Sequence, residues 1–460
     1  MGRLSQSERI GYPREVSPAH SGRGREGDHK MRKCSPLRKR VAAYVRFLLL
    51  VSLALCASAC GSRRPARDSA DGTGGPAAAP GLSAARLKGA IELAAGYLER
   101  NCRADGRFVY RRYLDSKRPG DDRYNVLRHA GALYALGVYY QRTPDPKTLA
   151  AMLRAAKYLR AGIRPVGGSK DMLALWSPES ELTGREKGRP PVAKLGGAGL
   201  ALVALSQTRR AQPDSAPLGE LRGLGRFVLR MQKKDGSFYC KYFEGEGPDD
   251  RWTSLYYPGE AMLGLLCLHD LDPRSVWLGA AAEGMACLGR SRARQRTAPA
   301  DHWALLATQK LLAKYDLLER PPATRAQMVA HAALICEGIL REQVEAPGTS
   351  RLRGAFTSDG RTCPTATRLE GLLSALSFLP LGESPVRTRT ADAVHRGMAF
   401  LVNAQVPSGP MRGAFPYAAQ VPPDSHGSHS SDRRRGEVRI DYVQHALCAM
   451  LQYERFFSPS

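Results

Sequence analysis

The sequence predicts an all-α fold in which six helical hairpins close into a ring, an (α/α)6 toroid over residues 84–460. Three observations predict it. A period of about 60 residues recurs from residue 84 to the C-terminus, each unit holding an amphipathic helical stretch, a glycine turn, a polar loop and an Ala/Leu-rich helix; repeats of this length mean stacked or ring-closed units. Four turns share a G-x-F signature, at Gly106-Arg107-Phe108, Gly236-Ser237-Phe238, Gly354-Ala355-Phe356 and Gly413-Ala414-Phe415, separated by 130, 118 and 59 residues. The two missing turns are expected near Gly167-Gly168 and Gly289. Finally, the second helix of each unit is apolar around most of its circumference, as a buried helix must be.

The N-terminal segments come first. Residues 1–30 are polar and rich in Gly and Arg, and read as a mis-called start or a disordered extension, because Met31 stands where an export signal would begin. Within 31–59, Arg32, Lys33, Arg38, Lys39, Arg40 and Arg46 precede the apolar run Phe47 to Leu55, which ends in small residues before Cys60. Basic, apolar and small regions in that order describe an export signal too short to be a stable span. With cysteine directly after Ala59, the segment resembles a bacterial lipoprotein signal. The resemblance implies that Cys60 is lipidated and anchors the chain in a membrane, and Gly61 after it implies outer-membrane retention. Ala57 departs from the pattern, where Leu is preferred. The plainer alternative is a secretory signal with an incidental cysteine. Residues 60–83 have the composition of a flexible tether.

The ring follows. Outer helices such as Ala84 to Arg100 and Leu221 to Met231 alternate apolar and charged residues at helical spacing. The six inner helices are expected at Tyr124 to Gln141, Ala193 to Arg210, Ser254 to Leu271, Asp301 to Tyr315, Cys363 to Leu379 and Ile440 to Phe457. Gly131, Gly197, Gly199, Gly259 and Gly264 would let these helices approach closely. Strand signals are nearly absent, with at most short local pairing at the G-x-F turns. An open helical solenoid is the structural alternative.

The stretch Phe227 to Phe238, with Gln232, Gly236 and a terminal Phe in place of Trp, resembles the QW-type turn of triterpene cyclases. A weaker echo runs from Arg396-Gly397 through Gln405 to Gly409. Together with the hairpin pattern, the chain resembles the six-hairpin glycosidase and terpenoid-cyclase superfamily over residues 84–460. The resemblance implies a toroid whose loops into the inner helices line one mouth of the cavity, where substrates bind. It implies no particular activity.

Charge and motifs narrow the class. Of the net +26, residues 1–60 supply +8 and leave +18 for the rest, spread over helices and loops. A nucleic-acid binder would show a basic stripe or a known module, and neither is present, so nucleic acid is not an expected partner. An anionic glycan or membrane headgroups suit an exported basic protein better; genomic bias toward Arg is the bland alternative. No Walker loop, dinucleotide fingerprint or G-x-S-x-G elbow occurs, and no cofactor is expected. The seven cysteines after Cys60 include no C-x-x-C pair. Cys102, Cys240 and Cys363 lie near turns, but the sequence cannot pair them. Asp301 and His302 with Asp441 and His445 or Cys363 could in principle hold a metal, but no local ligand spacing supports it and His426 with His429 is too short a run, so no metal is expected.

Candidate site residues gather at the inner-helix starts, where unpaired backbone N–H groups and the helix dipole receive anionic groups. Asn125, Arg128 and His129 share a face of the first; Tyr256 and Glu260 share one of the third. Asp301, His302 and Trp303 open the fourth, Arg368 and Glu370 follow the start of the fifth, and Asp441, Tyr442 and His445 lie in the sixth. Tyr256, Glu260, Asp301, His302, His129, Asp441 and His445 are the catalytic candidates. Asn125, Arg128, Trp303, Arg368 and Tyr442 are the substrate-binding ones. Glycoside hydrolysis needs two carboxyl groups across the bond, which Glu260, Asp301 and Asp441 could supply. Elimination or epimerisation beside a carboxylate uses Tyr or His as acid and base. Trp303 and Trp252 are possible stacking platforms. For each there is a structural alternative: a capping Asp, a hydrogen-bonded core His, a packed Tyr.

These observations lead to a cell-envelope protein acting on a glycan, expected to be anionic, as a hydrolase, lyase or uronyl epimerase. The alternative is a non-catalytic envelope lipoprotein whose toroid binds a glycan, lipid or protein. A terpenoid cyclase or prenyltransferase ranks third, because the D-x-D-D acid motif is missing and Pro248-Asp249-Asp250 is only a fragment of it.

Overall fold

The computed structural model describes residues 82–118, 120, 124–182, 186–345, 350–381, 384–419, 434 and 436–457. The extension 1–30, the signal segment 31–59, Cys60, the tether up to residue 81, and His426 with His429 lie outside the described residues.

Twelve α-helices among the described residues alternate as outer and inner partners. The outer helices are α1 (Ala84–Arg100), α3 (Pro146–Ala161), α5 (Leu218–Met231), α7 (Ser275–Arg292), α9 (Arg325–Leu340) and α11 (Pro385–Ala404). The inner ones are α2 (Val126–Arg142), α4 (Leu195–Ala211), α6 (Tyr257–Leu271), α8 (His302–Leu312), α10 (Thr362–Leu376) and α12 (Ile440–Phe457). Every residue of α4 from Leu195 to Thr208 is buried, whereas α5 buries a stripe of Leu221, Leu224, Phe227, Val228 and Met231. Helix starts are fixed by side-chain caps: Ser83 on α1, Asn125 on α2, Asp145 with Pro146 on α3, and a capping box of Thr324 and Gln327 on α9.

Each inner helix packs on the next, and α12 packs on both α2 and α1. The array is therefore a closed (α/α)6 toroid and not an open solenoid. The small residues allow the close spacing: a Cβ on Gly199 would lie 2.5 Å from the Glu260 backbone, and one on Gly264 would lie 2.6 Å from Gly199 O.

The G-x-F turns have a specific task. Their glycines take φ between 85° and 89°, a left-handed conformation that costs a side chain energy. Each presses its α-carbon onto the backbone of the following outer helix. An added Cβ would lie 2.2 Å from Arg154 O at Gly106, 2.7 Å from Glu283 O at Gly236, 2.3 Å from Arg396 O at Gly354 and 1.9 Å from Leu93 O at Gly413. Three glutamines complete the latch, each donating through Nε2 to the turn glycine carbonyl and to a carbonyl of that next helix. Gln232 reaches Gly236 and Ala280, Gln343 reaches Gly354 and Ala393, and Gln405 reaches Gly413 and Ala90. In the first turn Cys102 takes this place, its Sγ 3.8 Å from Gly106 O and 3.5 Å from Ala151 O. The four phenylalanines are buried.

Two expectations change here. Gly289 lies inside α7 and makes no turn, and Gly167-Gly168 turns a β-hairpin instead of docking on a helix. Strands are also more numerous than expected. β1 (Arg111–Tyr113) pairs antiparallel with β7 (Glu437–Arg439); β2 (Ile163–Val166) pairs with β3 (Ser169–Leu175); β4 (Val192–Lys194), β5 (Lys241–Phe243) and β6 (Gly247–Asp249) form a third sheet. These sheets lie in the loops between outer and inner helices. Helix α6 starts at Tyr257, later than Ser254, because the Ser254 hydroxyl accepts from the amides of Tyr256 and Tyr257 in a local turn. No described helix is long and apolar enough to cross a membrane, and the seven described cysteines are free.

Candidate functional site

The sheets gather the inner-helix starts on one face. Pairing of β4 with β5 sets the entries of α4 and α6 side by side, and pairing of β1 with β7 does the same for α2 and α12. The side chains that meet there come from separate hairpins.

Six of them form one group. Glu370 of α10 accepts from or shares a proton with His445 Nδ1 at 3.1 Å, and its Oε2 is 4.0 Å from His302 Nε2. The imidazoles of His302 and His445 stand edge to face, centroids 5.3 Å apart. Tyr256 packs edge-on against His302 at 5.2 Å, and the Arg368 guanidinium lies beside the Tyr256 phenol. Trp303 backs both histidines. His302 is buried, yet neither ring nitrogen has a hydrogen-bond partner. Burial, with His445 and Arg368 adding to it, pushes its pKa well below the usual imidazole value, so the ring is neutral. Burial also raises the Glu370 carboxyl, against the pull of His445. The donor atoms of His302, Glu370 and His445 all lie within 4.8 Å of one another, so a spacing that the sequence did not suggest for a metal exists in space.

A second group lies one helical turn earlier on α12. Asp441 accepts from Arg439 at 2.8 Å and pairs with Arg128 at 3.1 Å. Burial alone would raise this carboxyl; the two guanidinium groups outweigh it and hold it below the ordinary value. Arg128 also donates to the Tyr110 hydroxyl. Tyr442 is buried and donates to Glu437 at 2.8 Å. Cys363 lies between the two groups, near Asp441 and Glu370. Asp441 is thus a permanently charged anchor for two arginines, and Tyr442 is a packed core residue with no face toward a ligand.

Several expected catalytic residues have other tasks. His129 is fully buried and fully bonded: Nδ1 meets the Tyr124 hydroxyl at 2.7 Å and Nε2 meets Ala155 O at 2.9 Å. The Phe108 amide donates to the same Tyr124 hydroxyl at 3.0 Å. This chain ties the first G-x-F turn to α2 and α3, and requires the proton on Nε2. Asn125 caps α2 by accepting from the Arg128 amide. Asp301 is fully buried, accepts from the Ala304 amide at 3.1 Å and pairs with Arg292 at 3.0 Å. Both of its oxygens are occupied by structure. Trp303 is 3 % exposed and offers no stacking face, whereas Trp252 is 42 % exposed with Lys241 Nζ 4.4 Å from its ring.

Glu260 is buried with Oε2 unpartnered. Its carboxyl lies against Gly196 of α4, where a Cβ would come within 2.1 Å of it. Burial, helped by Asp301, raises its pKa to about 8, which makes it an un-ionised acid at neutral pH.

The sequence placed Glu370 beside Arg368 around the fifth inner-helix start but did not count it among the site residues; it lies in the third turn of α10. The sequence missed Arg439 and Glu437, which are placed by the β1–β7 pairing, and the Glu186 carboxylate that bridges Lys194 at 3.2 Å and Lys241 at 2.9 Å. The only sequence signal for Glu370 was a carboxylate inside an otherwise apolar inner helix.

No family model and no curated protein matches this sequence. Among solved structures, the chain is similar to a sugar epimerase from a ruminal bacterium, at TM-score 0.57 and 12 % identity over 80 % of this chain and 98 % of that one. It is similar to the cellobiose 2-epimerase of Spirochaeta thermophila, at TM-score 0.55 and 16 % identity over 81 % and 98 %. An unsaturated glucuronyl hydrolase specific for heparin gives TM-score 0.54 and 11 % identity over 81 % and 98 %. At these identities the likeness is one of fold, and the fold is that of the six-hairpin (α/α)6 toroids.

Proposed function

We propose that the chain is a carbohydrate-active enzyme of the cell envelope, carried there by its export signal and anchored through Cys60, with the His302–Glu370–His445 group as its reactive centre. One observation carries this reading: His302 is buried with both nitrogens unbonded, facing a second imidazole and a carboxylate from two other hairpins. A buried polar group without a partner is costly, and an unmet imidazole beside a second acid–base group suits a bound reactant.

The chemistry best matched is proton transfer beside a sugar carbonyl, as in epimerisation or isomerisation. One imidazole takes the proton from the carbon next to the carbonyl, leaving an enediolate. The conjugate acid of either imidazole returns a proton to carbon, so the atoms balance without a redox partner. Tyr256 and Arg368 stand where they can hydrogen-bond the developing oxyanion. Hydrolysis fits less well, because it needs two carboxyl groups flanking the bond: Asp301 and Asp441 are committed to arginines, and Glu260 is buried against Gly196 of α4, which leaves Glu370 alone at the centre. The sugar epimerases among the similar folds agree with this choice, and the glucuronyl hydrolase is consistent with an acidic substrate.

A second reading rests on the 4.8 Å grouping of two imidazoles and a carboxylate. That donor set suits a divalent cation, which would polarise a carbonyl at the same place.

The test is incubation of the full chain with reducing mono- and disaccharides, neutral and uronic, in D2O. Deuterium entering at the carbon beside the carbonyl, lost in His302→Asn and insensitive to EDTA, supports the acid–base reading. EDTA-sensitive exchange favours the metal. Absence of exchange and of any glycan cleavage would end the enzymatic reading.

A further inference from the structure

A groove of about 750 Å³ lies outside the reactive centre, between the C-terminal half of α11, the segment that begins at Ser350, and Leu114. Its size is that of a small-ligand or oligosaccharide cleft. Its floor is a separate small apolar cluster in which Phe400 and Ala419 are buried, with Ala404 packed against them. Its walls carry Arg351, Arg353 and Arg396, and among the described residues no carboxylate lines it.

The arginines differ from those of the mouth. Arg128, Arg439 and Arg368 are each paired with an acidic side chain. Among the described residues Arg396 donates to the neutral amide oxygen of Gln343, at 2.8 Å, and to no carboxylate, and the Arg353 guanidinium has no acidic partner. At the rim, Arg86 reaches over from α1 to Asn403 Oδ1 at 2.5 Å, also without a carboxylate. The guanidinium groups of Arg353, Arg396 and Arg86, left unneutralised around one concavity, set up a positive potential and present the fork that carboxylates and sulfates accept.

We propose that this groove binds the acidic stretch of an anionic glycan, as a subsite separate from the reactive centre. The inference rests on the reading of the chain as carbohydrate-active. Arginine walls over an apolar floor match a uronic or sulfated sugar, which offers anionic groups at its edge and C–H groups on its ring face. A concave site with side-chain amides at Asn403 and Gln405 suits a sugar chain better than a lipid surface, which would meet a convex or flat basic patch. The excess of +18 over residues 61–460 favours the same sign of ligand.

Titration calorimetry of the full chain at low salt, with a short oligogalacturonate and with its methyl ester, tests this. The acid form is expected to bind at least about 10-fold tighter than the ester, as two or more charge-assisted contacts would give. Arg353→Glu and Arg86→Glu, both on the surface, should each weaken the acid form about 10-fold, while Arg353→Lys retains most of the affinity. All three should exchange deuterium on a monosaccharide at the wild-type rate. His302→Asn should bind the acid oligomer as wild type does, which separates failure of the groove from failure of the reactive centre. Equal affinity for acid and ester, or unchanged binding by the two Glu variants, overturns the proposal. So does binding of phosphatidylglycerol vesicles, in place of the oligomer, through the same arginines.

Discussion

Gln405, at the end of the last outer helix, donates through Nε2 to the carbonyl oxygen of Ala90 in the first outer helix, 2.9 Å away and 315 residues earlier in sequence. The same amide reaches Gly413 O, and Gly413 itself rests on Leu93. One turn therefore fastens the two ends of the ring together.

Removing this latch should loosen the whole domain. Gln405→Ala removes the Nε2 donor shared by the Ala90 and Gly413 carbonyls and is expected to cost about 1 kcal/mol. Gly413→Ala combines a strained φ with a Cβ 1.9 Å from Leu93 O and should cost more, on the order of 3–5 kcal/mol. Urea titration followed by circular dichroism checks both. A control at Gly168, where a Cβ meets nothing within 4 Å, should show the smaller cost of positive φ alone, about 1–2 kcal/mol.

His302→Asn and Glu370→Gln should each lower turnover by about 100-fold or more without changing the helical spectrum, since a positioned acid–base group contributes that much. Asp301→Asn should behave in the opposite way. It strips Arg292 of its buried partner and is expected to lower stability by about 3–5 kcal/mol, with the folded fraction keeping turnover. Parallel loss of rate in all three would remove the distinction.

Glu260 gives a stability that depends on pH in a stated direction. Its folded pKa, about 8, lies above the ordinary 4.5, so the folded state binds the proton more tightly than the unfolded one. The contribution is complete below pH 4.5 and is lost as pH rises through 8, by on the order of 3–5 kcal/mol in all. Glu260→Gln should flatten the fall in melting temperature between about pH 5 and 8. An unchanged slope in that variant would place the effect elsewhere.

His129 acts with the other sign. Burial lowers its pKa to about 4 from 6.5, so the unfolded chain takes up a proton first as pH falls. Its share of stability is present above pH 6.5 and lost by pH 4, by about 3 kcal/mol. His129→Gln removes that dependence at some cost in stability at neutral pH. The melting temperature from pH 7 to pH 4 is the measurement, and a variant that falls as steeply as the wild type would count against it.

The ring was legible because its determinants are local. Inner helices such as α4 and α6 carry apolar residues all round, and the glycines of the G-x-F turns are demanded by a backbone conformation that other residues resist. The site was legible only in part. His302, His445, Tyr256 and Arg368 do converge, because helix starts in a ring share one face. Asp301, Asn125 and His129 look the same in sequence as those four, yet they satisfy amides and carbonyls nearby. Which way such a residue turns depends on partners like Arg292 and Tyr124, fixed by packing between hairpins. Glu370 was noted beside Arg368 but given no role, because it lies deep in a helix; Arg439 was missed because it is positioned by a three-residue strand pair whose two halves are more than 300 residues apart.

The latch between Gln405 and Ala90 also bears on where the polypeptide has to begin. Helices α1 and α12 are neighbours, so the place where synthesis starts is one joint among several. A gene rearranged to join the end of α12 to the start of α1 and open elsewhere, for example between α7 and α8, where no G-x-F turn docks, should still encode the same ring. Removal of α12 alone should not yield a shorter working version. Five hairpins would leave α2 and α10 without the neighbour that lies between them, and His302 without the second imidazole.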